Sequence, residues 1–163
     1  MIRSKIWRFG DNVDTDQIIA SQYLLVDDPR LMLDHVFESL RPEFTRNARP
    51  GQIIVAGKNF GCGSSREQAA MVLKMRGVDV IIARSFGRIF FRNCINIGLP
   101  VVILENLPDH VRDGDEAAVD LERGRVELGR ERYDFPEFPP HLMNIIKSGG
   151  LLAYINEKRG DGE

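Results

Sequence analysis

The sequence predicts one α/β domain built on a mixed sheet, and three observations carry that prediction. Between residues 52 and 104, apolar β-branched runs alternate with helix-patterned stretches, an order that implies parallel strands joined by crossover helices. Beyond it, "EAAVDLERGRVEL" (116–128) reads as an antiparallel hairpin about Arg123-Gly124. The length of 163 residues, 43% of them hydrophobic, is enough for one real core and too little for two.

The elements follow in order. "SKIWRF" (4–9) alternates like a strand and leads through Gly10 into a polar loop, "GDNVDTDQ". "DPRLMLDHVFESL" (28–40) reads as a helix, with Asp28 as N-cap, Pro29 at the first helical position, and Leu31, Leu33, Val36 and Phe37 near helical spacing. "RPEFTRNARPG" (41–51) reads as a loop, and "QIIVAG" (52–57) as a short apolar strand. "REQAAMVLKMRG" (66–77) carries apolar residues at helical intervals and stops at Gly77. "VDVIIA" (78–83) and "LPVVIL" (99–104) are buried strands on either side of a helix, "SFGRIFFRNCINIG" (85–98), capped by Ser85. "PPHLMNIIKSGG" (139–150) reads as the closing helix, and the tail 157–163 is expected to fray. The sheet expected from this order has a parallel centre and antiparallel outer parts.

Composition narrows the partners. Lysine and arginine number 22 against 24 acidic residues, a net charge of -2, so bulk charge holds neither nucleic acid nor an anionic membrane. No apolar run approaches the roughly 20 residues that span a bilayer, and the N-terminus lacks a signal-peptide pattern. A cytoplasmic protein is expected. Cys62 and Cys94 make no disulfide framework, and with His35, His110 and His141 they show no metal-ligand spacing. A four-iron cluster needs about three or four thiolates, more than this chain has.

The densest chemistry lies in "NFGCGSSREQAA" (59–70). It matches neither the dinucleotide fingerprint, whose third glycine falls on Arg66, nor a Walker A loop, nor a nucleophile elbow. What remains is a strand-to-helix turn with glycines where backbone is bent or closely approached. Its helix start offers free N–H groups to an anion, and Arg66 can add a two-pronged contact to a carboxylate. The competing reading is structural. Ser64-x-x-Glu67 and Ser65-x-x-Gln68 each fit a capping box, but a cap accounts for one serine and leaves the second, the arginine and the glycines unexplained. A serine in such a field can act as a base if the helix dipole, backbone N–H groups and Arg66 stabilise its alkoxide. "DNVDTDQI" (11–18), three acids around Thr15, is either a solvated loop or the source of an aspartate facing this turn. Arg84, Arg88 and Arg92, at four-residue intervals, suggest a surface or interface stripe along one helix. Cys62 suits a small position in a tight turn, and Cys94 a core position.

"DTDQI", "YLL", "GKNFGCGSSREQA" and "ARSFGRIFFRNCINIGLP" resemble, in order and spacing, the family of 3-isopropylmalate dehydratase small subunits, over about residues 2 to 155. That family corresponds to the swivelling C-terminal domain of the aconitase superfamily. The resemblance implies a three-layer β/β/α swivelling domain with a mixed sheet. It implies a hydro-lyase subunit that isomerises 2- and 3-isopropylmalate in leucine biosynthesis through an alkene. The [4Fe-4S] cluster would be carried by a partner large subunit, in a heterodimer or heterotetramer, with none bound by this chain. By the same resemblance Ser64 is the base, Ser65 and Arg66 hold a substrate carboxylate, and Asp16 lines the same site. Family members read the substrate's variable group with the segment that here runs "SQYLLVDD" (21–28). Relatives that accept an extra carboxylate tend to carry an arginine there. Tyr23, Leu24, Leu25 and Val26 instead suit an isopropyl group, because a carboxylate against them loses hydration without a partner. Homoaconitase, citraconate/methylmalate hydratase and a stand-alone anion-binding module are the alternatives.

Overall fold

The structure, a computed structural model, describes residues 1–160. Seven strands are present among them: β1 (Ile2–Arg8), β2 (Gln52–Ala56), β3 (Val78–Ala83), β4 (Val101–Ile103), β5 (Glu116–Asp120), β6 (Arg125–Leu128) and β7 (Glu131–Asp134). They form one sheet in the order β4-β3-β2-β1-β5-β6-β7. Pairing is parallel from β4 to β1, with Ile6 opposite Ile53 and Ile54 opposite Ile81. It is antiparallel from β1 onward, with Ile2 opposite Val119 and Val119 opposite Val126. The antiparallel strands therefore lie all on one side of β1. The parallel strand β4 forms the opposite edge, a correction to the expectation of a parallel centre flanked on both sides.

Strand periodicity explains the layering. In β2, Ile53 and Val55 face one hydrophobic core while Ile54 and Ala56 face another; in β3, Val80 and Ile82 part from Ile81 and Ala83 in the same way. The first core is closed by the antiparallel half, through Ala117, Val119, Val126 and Leu128. The second is closed by helical segments, through Ala69, Ala70, Val72, Leu73, Phe90 and Cys94. The sheet curls over its own back and helices cover its front, which is the three-layer β/β/α arrangement.

The helices are α1 (Thr15–Ile18), α2 (Pro42–Asn47), α3 (Glu67–Met75), α4 (Arg88–Asn96), α5 (Pro140–Lys147) and α6 (Leu151–Gly160), with 3-10 segments at Ser21–Tyr23 and Pro29–His35. The helix expected over 28–40 is thus a 3-10 segment. Asp28 caps it as foreseen, accepting from the Arg30 N–H at 2.9 Å. It ends early because Val36 is extended and Phe37 takes a φ of 55°. That turn drives the Phe37 ring into the core, 4.4 Å from Phe9 and 5.0 Å from Phe44 between centroids. The 41–51 loop contains α2, with Pro42 in its first turn and Phe44 fully buried. Helix α6 runs to Gly160, so the first four residues of the expected frayed tail are helical; 161–163 lie outside the described residues. Lys74 of α3 donates to the carbonyls of Ile97 and of Gly149 (2.9 Å), tying the ends of α4 and α5 to α3.

Arg41 fastens the end of β1. Its guanidinium donates to the Arg8 carbonyl at 3.0 Å, to both Asp113 oxygens at 2.9 and 3.2 Å, and to Glu43 at 2.9 Å. It also lies over the rings of Trp7 and Phe9, at 4.9 and 5.3 Å. Only 19% of the side chain is exposed. Arg41→Gln is expected to lower unfolding free energy by about 2–3 kcal/mol, the usual scale for hydrogen bonds to charged groups, measured by urea unfolding. The hydrogen bond from Arg41, the leading cause, holds the Asp113 carboxyl below its ordinary value. A lowered folded value means that the carboxylate's contribution is full above its unfolded pKa, about 3.9. It is lost as pH falls through the folded one. The variant should therefore lose less stability than the native chain on acidification below about pH 4.

Candidate active site

The glycine-serine turn leaves β2 at Ala56 and is built by long-range backbone contacts. The Gly61 N–H donates to the Val13 carbonyl at 2.7 Å, and the Thr15 N–H to the Cys62 carbonyl at 2.8 Å. Thr15 is buried, and its hydroxyl donates to the Ser64 carbonyl at 2.9 Å. Helix α1 thus sits on the turn, its own start sealed by a capping box between Asp14 and Gln17. The stretch expected as a polar loop is a short helix with one acid, Asp14, spent on its cap.

Two glycines are dictated by space. Gly61 has a φ of 77°, and a Cβ there would stand 2.2 Å from Cγ of Phe90. Gly87, at the N-cap of α4, admits the Gly61 carbonyl so closely that a Cβ would meet its oxygen at 2.4 Å. The turn and the start of α4 are pressed together, and the space between them is a cleft of about 300 Å3. Thr15, Asn59, Cys62, Ser64, Ser65, Arg66 and Arg88 are among its lining residues.

The serines do not cap α3. Its N-cap is Arg66, which makes no side-chain cap bond, and the helix begins at Glu67. Ser64 instead accepts a hydrogen bond on Oγ from Nε of Arg66 at 3.2 Å. The capping-box expectation fails because the Ser64 carbonyl is pinned by Thr15 and its hydroxyl is turned toward the guanidinium. Nη1 of Arg66 donates to Asp16 Oδ1 at 2.9 Å and to the Ile19 carbonyl at 3.1 Å. The Arg66 side chain is only 16% exposed against 61% for the aspartate, so Arg66 is the anchored member of that pair. The bond from Arg66, and after it the Ser21 N–H, holds the Asp16 carboxyl below its ordinary value.

Ser64, Ser65 and Arg66 line the cleft, and Asp16 is joined to them through its bond to Arg66. The 21–26 segment follows directly. Leu24 and Val26 pack against the front core as partly buried residues, Tyr23 does likewise, and Leu25 is 92% exposed. The expected arginine stripe does not form as one face. Arg84 precedes α4 and is spent on the Leu107 carbonyl and Asp109, while Arg88, in the first turn, lines the cleft. Ser85 does not cap α4; its Oγ accepts from the Asn59 N–H at 2.7 Å. Asn59 is a lining residue that spacing alone did not single out, and Arg88, whose spacing suggested only a surface or interface stripe, is another. Asn59's φ of 59° marks a bend usually given to glycine. None of His35, His110 and His141 lines the cleft. Burial, and then Asp14, pushes the Cys62 thiol up, while Cys94 is fully buried and pushed well up by desolvation. Among the described residues no group of three or more His, Cys, Asp or Glu could hold a metal ion, and the two cysteines are fewer than the roughly three or four thiolates that a four-iron cluster takes.

Residues 41–106, which run from α2 through the Gly-Ser-Ser-Arg turn to just past β4, match the family described as "Aconitase C-terminal domain". A 3-isopropylmalate dehydratase small subunit from Aquifex aeolicus is 53% identical over 160 residues, covering 96% of this chain and 95% of that one. A methanogen homoaconitase small subunit from Methanothermobacter thermautotrophicus is 49% identical, over 94% of this chain and 90% of its own. A crystal structure of 3-isopropylmalate dehydratase from Methanocaldococcus jannaschii superposes with a TM-score of 0.90 at 37% identity, covering 97% of this chain and 95% of that one. The chain belongs to the family of 3-isopropylmalate dehydratase small subunits.

Proposed function

We propose that this chain is the small subunit of a 3-isopropylmalate dehydratase, interconverting 2- and 3-isopropylmalate in leucine biosynthesis together with a cluster-bearing large subunit. The observation that carries the reading is the Ser64 hydroxyl, accepting from the guanidinium of a largely buried Arg66 side chain at the wall of an anion-sized cleft. A hydroxyl is too weak an acid to serve as a base unless its anion is stabilised, and a fixed positive charge at hydrogen-bond distance does that. Ser64 Oγ, as its alkoxide, takes the proton from carbon beside a carboxylate; the electron pair of that bond becomes the alkene as the hydroxyl leaves, and the large subunit's cluster would supply the Lewis acid that accepts it. The proton then returns to the carbon that lost the hydroxyl, as hydroxyl adds at its neighbour. Ser65 and the remaining donors of Arg66 hold the substrate carboxylate. Asp16 holds Arg66 in place by occupying Nη1, so that Nε stays on Ser64. The cluster belongs to the large subunit, and the steps assigned here are those of this chain alone.

Substrate choice rests on Leu25. It is the most exposed apolar side chain of its segment and stands among neighbours that carry no positive charge before Arg30, itself bound to Asp28. The 49% identical homoaconitase relative keeps homocitrate as the second reading. The test is turnover of isopropylmalate against homocitrate by this chain mixed with its cluster-loaded large subunit. Preference for isopropylmalate supports the reading, and preference for homocitrate replaces it with the second. Leu25→Arg is expected to raise the homocitrate-to-isopropylmalate ratio of kcat/KM by about 10- to 100-fold, the worth of one charge-assisted contact.

A further inference from the structure

The segment that reads the substrate is held at its start by the site itself. Asp16 Oδ1, already bonded to Arg66, also accepts from the Ser21 N–H at 3.3 Å. At the end of its first turn stands a second clamp, in which Tyr23 is held by His35 and Glu38, two residues to which neither composition nor resemblance assigned a role. The Tyr23 ring lies flat on the His35 imidazole, with centroids 3.7 Å apart and planes at 6°. The Tyr23 hydroxyl donates to Glu38 Oε2 at 2.6 Å, and Glu38 Oε1 stands 3.0 Å from His35 Nδ1. One carboxylate thus grips both stacked rings.

Isolated surface pairs contribute little, because each long side chain gives up freedom to form them. This clamp differs in geometry. Stacking fixes the plane of the tyrosine ring and the Glu38 bond fixes its tip, so both side-chain torsions of Tyr23 are determined. The 3-10 turn it closes, Ser21–Tyr23, has no side-chain cap of its own. Beyond Tyr23 the chain runs to Asp28, which caps the Pro29–His35 segment, itself anchored by the buried Met32. Leu25 is therefore presented from a short span with fixed ends, rather than from a loose loop. Its direction depends on the clamp.

We infer that His35 and Glu38 are positioning residues for substrate discrimination: by pinning Tyr23 they orient the Leu24–Val26 span toward the substrate's variable group. The inference rests on the proposed isopropylmalate reading. It predicts a particular pattern, since a misdirected span weakens binding and selection while leaving Ser64 and Arg66 in place.

The experiment uses this chain assembled with its cluster-loaded large subunit and four variants, Glu38→Ala, His35→Ala, Glu38→Gln and His35→Phe. The two alanine variants should raise KM for isopropylmalate about five- to tenfold, the worth of one ordinary hydrogen bond. They should reduce discrimination against homocitrate by a similar factor, with kcat within about twofold. Glu38→Gln keeps an oxygen for Tyr23, and His35→Phe keeps a ring to stack on; both should recover most of the loss. Unchanged KM and discrimination in the alanine variants, a fall in kcat alone, or no rescue by the conservative pair would each overturn the inference. If the native assembly turns over no isopropylmalate, the substrate reading fails by itself. The clamp is then judged on the isolated chain by amide hydrogen exchange over 21–28. Faster exchange in Glu38→Ala but not in Glu38→Gln supports it, and equal exchange in both sinks it.

Discussion

Ser64→Ala is expected to reduce turnover by the assembled enzyme about 100- to 10,000-fold, the range for loss of a positioned general base. The same substitution should leave the thermal midpoint and assembly with the large subunit unchanged. Both expectations follow from the position of the side chain. Ser64 is exposed, and its hydroxyl accepts only from Arg66, while the bond that fixes the turn uses the Ser64 carbonyl and survives in alanine. The loss should fall in kcat, because on the proposed reading Ser65 and Arg66 still hold the substrate carboxylate. Ser65→Ala should instead act chiefly on KM, since the bond from Arg66 goes to Ser64 and not to its neighbour. Equal losses of kcat in the two variants would mean that either hydroxyl serves as the base.

Gly61→Ala is expected to be the most damaging single-methyl change in the turn, at about 2–5 kcal/mol of stability. Two penalties combine. A φ of 77° is left-handed backbone that a side chain resists, and the new methyl would lie 2.2 Å from Phe90 Cγ. Phe90 cannot withdraw, being buried and packed on Phe60 at 5.6 Å between centroids. Gly129→Ala separates the two effects. It has a similar φ of 60° but nothing within 4 Å, so only the backbone cost, about 1–2 kcal/mol, should appear. Urea unfolding of both variants measures the difference. A Gly61 variant no worse than the Gly129 one would mean that α4 shifts to make room, and with it the cleft wall that carries Arg88.

The parallel half of the fold was legible because its strands are buried on both faces and so read as near-continuous apolar runs, as in Ile53–Ala56 and Val80–Ala83. The hairpin was legible from its turn. The parts that escaped have little hydrophobic signal to read. Strand β7, Glu131–Asp134, is an exposed edge with three charged residues of four, and α2 is six residues long, too short for a period to show. Helix α6 follows two glycines that read as a stop. The helix expected over 28–40 failed for a tertiary reason, since burying the Phe37 ring requires a backbone turn that no helix permits. At the site, the Ser-Ser-Arg cluster was visible as an excess over what a turn needs. Its arrangement was not, because the choice between capping and facing Arg66 is made by Thr15, 49 positions away. The clamp on Tyr23 was invisible for a similar reason, as nothing in the spacing of Tyr23, His35 and Glu38 announces a stack.

The alternation along β2 and β3 has a consequence for how this protein can change. Neighbouring residues such as Ile54 and Val55 belong to separate packing compartments, and the turn that bears Ser64 is braced only from the front one. Among the described residues Phe138 alone packs against both, so substitutions behind the sheet and away from that residue should combine additively with those in front. The rear compartment, from Val55 and Ile82 to Val119 and Val126, is therefore a place where heat tolerance can be raised or eroded with the chemistry left in register. The front compartment, where Phe60 and Phe90 support the cleft, offers no such freedom.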